Sequence, residues 1–237
     1  MSRNARFQWS IFLLAGWLLP AAAQETFPLP ATNTPARIVV VQGENLLEAF
    51  RPDEARVENA FNRGLTCFTR ATTVRNAWLS LVATNDVIGI KVFSAPGPVA
   101  GTRPAVVGAI VQGLLAAGVP PGRIIIWDRR EGDLRNAGFY ELGQAFGVRV
   151  AGAAEAGYDT NSFYLPDSPV VGQLVWGDLE FGLTNKTLVL GKKSFVSNLV
   201  SRQLTKIISV VPLMNETSAG LCGHFFSLAL GRDRKHV

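Results

Sequence analysis

Two short β-branched runs, VIGIKVF at 87–93 and RIIIW at 123–127, constrain this chain more than any other feature. Neither alternates polar with apolar residues, so each reads as a strand covered on both faces, as in a parallel sheet. Between them lie SAPGPVAG at 94–101, a loop rich in Gly and Pro, and then a helical pattern. Thr102 can cap that helix, Pro104 suits an early helical position, and Val107, Ile110, Val111, Leu114 and Leu115 form its apolar face. The pattern stops at Gly118, and Pro120, Pro121 and Gly122 turn the chain into the second strand, which closes on Asp128. Strand, helix and strand at this spacing make a βαβ unit, whose strands run parallel and are joined right-handedly.

The flanking sequence extends the alternation. RIVVVQ at 37–42 predicts another buried strand. A helix follows at 53–68, spaced through Ala55, Val57, Ala60, Phe61 and Leu65, with Asp53 as its cap. A second helix at 73–82 carries Val74, Ala77, Trp78 and Leu81 on one face. After Asp128 come a helix at 133–146 and a strand at 148–151. The order predicts an α/β fold: a layered, mostly parallel sheet with flanking helices. Beyond Gly152 the periodicity loosens into a less regular C-terminal part. There the sequence predicts short strands at 173–176 and 187–190, a helix at 194–204, a buried strand KIISVV at 206–211, and a helix at 218–230.

The N-terminus has the pattern of an export signal. Arg3 and Arg6 precede an apolar stretch at 7–19, and Pro20 precedes Ala21, Ala22 and Ala23. The expected organisation is a signal peptide at 1–23, an exposed leader at 24–36 and a single α/β domain at 37–237. Residues 7–19 fall short of the about 20 a membrane span needs, and no later window holds 18 uninterrupted apolar residues. The chain is therefore expected to be exported to the periplasm, the cell envelope or the exterior, with no membrane span after signal removal.

Composition excludes several functions. With 48% hydrophobic and 17% charged residues, the chain is too apolar for a disordered protein. Losing Arg3 and Arg6 takes the formal charge from +5 to +3, without the basic stripe of a nucleic-acid binder. Its two cysteines, Cys67 and Cys222, form no C-x-x-C motif, which excludes a cysteine-ligated iron–sulfur cluster or zinc site; no cofactor is evident. Cys67, at a helix end, reads as a buried thiol, and its pairing with Cys222 stays open. His224 reads as a packed helix residue. Dinucleotide and phosphate-loop glycine motifs and the nucleophile elbow are all missing.

Ligands of open parallel sheets bind beyond the carboxyl ends of the strands. Lys91, Thr102, Arg103, Asp128 and Asn215 fall there. Two cations, a helix N-terminus and a carboxylate suit a small anionic molecule. Each also has a structural reading: Lys91 as a solvated lysine, Arg103 as the partner of an acid, Asp128 as the cap of a turn.

Four stretches carry a resemblance: VIGIKVFSAPGPVAGTRP at 87–104, GVPPGRIIIWD at 118–128, AAEAGYD at 153–159 and KIISVVPLMNETSAG at 206–220. Their order resembles the domain of unknown function 362 family, in its exported bacterial branch. The resemblance implies the α/β fold and matches the family's recurrent strand lysine to Lys91. The polar cluster that usually follows the late strand in the family is replaced by Asn215, Glu216 and Thr217, without its histidine. The cysteine clusters of some members are missing. Members also continue beyond the Ala/Gly-rich helix, so the resemblance implies a C-terminally shortened member. It specifies no reaction. Three readings stay open: a domain that binds a small anion and acts on it, a non-catalytic envelope binding or accessory protein, and a shortened member with little activity. The sequence leaves the oligomeric state undetermined.

Overall fold

The computed structural model describes residues 37–164, 167–168, 172–173, 179–181, 188–190, 194–216, 220–225 and 227–228. The expected signal peptide at 1–23 and leader at 24–36 lie outside these residues.

Local chemistry accounts for the first helices. The Asp53 carboxylate accepts a hydrogen bond from the Arg56 amide and caps α1 (Glu54–Thr69). Thr73 does the same for α2 (Val74–Leu79) through the Asn76 amide. The two β-branched runs become β1 (Ile88–Val92) and β2 (Ile124–Asp128), buried at every residue, with α3 (Pro104–Ala117) between them. Pro104 opens α3, but Arg103 occupies the capping position and makes no capping bond; Thr102 is engaged elsewhere.

The helix expected at 133–146 is two helices, α4 (Glu131–Asn136) and α5 (Phe139–Phe146). Gly138 between them sits at φ +84°, where a right-handed helix cannot continue. After β3 (Arg149–Gly152), β4 (Tyr158–Tyr164) pairs antiparallel with β5 (Ser194–Ser197). The helix expected at 194–204 is thus half strand, and only Leu199–Gln203 is helical, in a single π-type stretch. Ser197 explains the break, since its hydroxyl donates to the Ala153 carbonyl and pulls the chain onto the turn after β3.

β6 (Lys206–Val210) completes a four-stranded parallel sheet of order β6-β1-β2-β3. KIISVV was expected to be buried. Its strand instead lies at the sheet edge, half-buried at best, because Ile208 and Val210 pack on the core while Ile207 stays exposed. The strand expected at 37–42 is an extended strap that joins no sheet among the described residues, and β6 occupies the edge of β1. Val39 and Val41 of the strap turn inward beside α1, whereas Ile38 and Val40 are 83% and 77% exposed. In the region expected to be helical at 218–230, Gly220–Cys222 is a strand, β8, paired antiparallel with β7 (Met214–Glu216). Cys67 is exposed rather than buried, and so is His224, whose Nδ1 lies 3.0 Å from the Ser209 hydroxyl.

The sheet has two differently packed faces. Ile88, Ile90, Val92, Ile124 and Ile126 meet the helices through Val107, Val111, Leu114 and Phe139. Ile125 and Trp127 point the other way, onto Ala151, Ala153 and Leu199. Gly89 makes that second face possible. A Cβ there would stand 2.4 Å from the Leu204 side chain and 2.8 Å from the Trp127 indole nitrogen. Among the described residues, no helix is long and apolar enough to cross a membrane.

Candidate functional site

The chain steps from β1 to β2 to β3 in one direction and returns to place β6 on the other side of β1. Strand order therefore reverses between β6 and β1, and in open α/β sheets ligands bind beyond the carboxyl ends of the strands at such a reversal. Thr102 lies there. Its hydroxyl accepts from the Phe93 amide at 2.8 Å and donates to the Val210 carbonyl at 2.5 Å, while its own amide donates to the Phe93 carbonyl at 2.8 Å. One threonine thus ties the end of β1 to the end of β6.

Beside this bridge, Lys91 and Asp128 close an ion pair at 2.7 Å, and Lys91 is only 1% exposed. The Lys91 ammonium also donates to the Val92 carbonyl at 2.5 Å and meets the Ser227 hydroxyl at 3.0 Å. Three donors thus meet three acceptors, the full capacity of a charged lysine. It also lies 5.7 Å from the centre of the Trp127 ring. Burial pushes the Lys91 pKa down, and the Asp128 carboxylate opposes that shift. The second Asp128 oxygen accepts from the Ser94 amide at 2.7 Å and the Ser94 hydroxyl at 2.6 Å. The carboxylate therefore anchors the first residue of the Gly/Pro loop.

The structure brings Lys91, Asp128 and Thr102 together at the strand ends, and leaves Arg103 and Asn215 at the outside of the loops. Arg103 is half-buried, with its guanidinium donating to the Pro98 carbonyl at 3.1 Å across the helical turn Gly97–Ala100. Asn215 is exposed on β7, opposite Leu221. Ser94 and Ser227 complete the network and escaped the sequence reading. Ser94 carries a visible signal, a hydroxyl directly after the strand that bears Lys91. Ser227 is 136 residues from Lys91, so nothing local announces it.

A second ion pair supports the surroundings. Arg202 grips Asp159 through Nε at 3.0 Å and a terminal nitrogen at 2.8 Å, fastening the π-type stretch to β4. The Arg202 guanidinium and then the Asn161 amide hold the Asp159 carboxyl well below the usual carboxylate range. Among the described residues, no group of three or more His, Cys, Asp and Glu side chains is placed to hold a metal ion.

Chemically, the centre of this arrangement is neutral and closed. An incoming anion would have to displace an existing partner of Lys91 before reaching its ammonium. Of the five residues expected at the site, those that remain accessible are Arg103 and Asn215, on the segments following β1 and β6. No family model, curated protein or solved structure matches the chain.

Proposed function

We propose that this chain is an exported binding protein of the domain of unknown function 362 type that takes a small anionic ligand at the carboxyl ends of β6 and β1. The observation that carries this reading is the Thr102 bridge at the point where strand order reverses. Arg103 supplies the cation and Asn215 a neutral polar contact. Lys91, Asp128 and Ser94 frame the loop rather than touch the ligand, since the ammonium has its three partners within the protein. Binding without turnover is favoured for the same reason, because a general base must reach the proton that it takes. Export rests on residues 1–23, and the mass of the exported protein should then correspond to a chain starting at Gln24.

Thermal melts against phosphate, nucleotides and carboxylates test the reading. A ligand at about 100 times its Kd adds about 2.7 kcal/mol, a rise of several degrees in Tm. One anion class should raise the Tm, and Arg103→Ala and Asn215→Ala should each shrink that rise. Arg149→Ala makes the same charge change at the opposite end of the sheet, where Arg149 donates to Gln203 at 2.7 Å, and should leave the rise intact. No rise with any anion, or an equal loss in Arg149→Ala, overturns the proposal.

A further inference from the structure

Away from the strand ends, the strap at 37–46 and α1 enclose a cleft of about 590 Å3. Its walls include Val39 and Val41 from the strap, Ala60, Phe61 and Leu65 from α1, and Val106 from α3. The volume falls within the about 300–1,000 Å3 typical of small-molecule pockets. Such apolar walls offer water few of the polar partners it needs to stay in a cavity.

Arg37 is the one charged residue of the lining among the described residues. Its two terminal nitrogens donate to the Phe68 carbonyl at 3.2 Å and the Cys67 carbonyl at 2.7 Å, which fixes the guanidinium at the carboxyl end of α1. No carboxylate pairs with it among the described residues. A guanidinium has five N–H groups, so donors remain for an incoming anion. Exposed apolar surface borders the cation, with Ile38 83% and Phe68 45% exposed.

We infer that this cleft takes a single-chain carboxylate amphiphile of the fatty-acid class. The tail lies between the strap and α1, covering the inward faces of Val39 and Val41. The carboxylate pairs with the free edge of the Arg37 guanidinium. A single cation at the margin of an apolar trough suits a molecule with one charged end. Gly64 sets the depth of the trough: a Cβ there would come within 2.8 Å of Val41, so glycine lets the strap close over the helix.

Calorimetric titration of the full chain with octanoate, decanoate and dodecanoate, each below its micelle concentration, tests this. Saturable one-to-one binding is expected, tightening about fourfold for each added methylene until the tail fills the cleft. Arg37→Ala should weaken dodecanoate about tenfold and leave the uncharged dodecanol unchanged. Ala60→Phe should block both ligands, with its melt checked for an intact fold. If Ala60→Phe does not fold, the chain-length series and the exposed Arg37 variant decide alone. Non-saturable binding, affinity independent of tail length, or equal losses for acid and alcohol in Arg37→Ala overturn the inference. Arg103→Ala should leave the dependence of affinity on tail length and the binding of dodecanol unaltered, which keeps this test separate from that of the strand-end site.

Discussion

Lys91 and Asp128 are each costly to bury alone and acceptable only together. Lys91→Met leaves the Asp128 charge without its counter-ion and should cost about 3–5 kcal/mol in denaturant unfolding. The double variant Lys91→Met with Asp128→Leu should recover much of that loss. A double variant no more stable than Lys91→Met would show that the pair acts through something other than charge. Asp159 should reveal itself through pH. Arg202 and the Asn161 amide lower its folded pKa, so the unfolded chain takes up the proton first as acid is added. The stabilisation from this group is present above its unfolded pKa of about 3.9 and is lost as pH falls toward the folded value. Asp159→Asn should therefore be less stable than the parent at pH 7, with the gap closing below about pH 4 in unfolding curves measured across pH. At this scale the sequence located Lys91 and Asp128 at neighbouring strand ends but not their contact. Strand position can be read from hydrophobic runs, whereas the pairing of two charges depends on how neighbouring strands are aligned.

Helices and strands show the same division between near and far. Asp53 and Thr73 cap helices through amides three residues away; the Asp53 cap was readable from the chain, whereas the cap expected at Thr102 does not form. Gly138 also acts locally, at φ +84° between α4 and α5. Gly138→Ala should cost about 1–2 kcal/mol in denaturant unfolding, because an L side chain in that conformation meets its own backbone. An unchanged midpoint would mean that the two helices can merge. RIVVVQ and KIISVV look alike as sequences yet end as a strap and an edge strand. What separates them is competition for the one open edge of β1, which has no signature within either run. Gly89 likewise looks like a weak point in VIGIKVF until the Trp127 indole and Leu204 are placed against it.

Over the whole molecule, stability should be graded outward from β1 and β2. Both are buried at every residue and paired on both edges, whereas β6 has one partner and the strap none among the described residues. Native-state hydrogen exchange should find the slowest amides at 88–92 and 124–128, faster ones at 206–210 and the fastest at 38–42. Strap amides as slow as those of β2 would place the strap in the cooperative core. The sequence by itself determined the βαβ unit, the Asp53 cap and the α/β layering, because these follow from hydrophobic periodicity and from hydrogen bonds between residues a few positions apart. Only the tertiary structure decided which apolar run takes the edge of β1 and where the Lys91 charge goes. Its partners Asp128 and Ser227 lie 37 and 136 residues away, so the ammonium is neutralised by contacts that exist only once the sheet has closed.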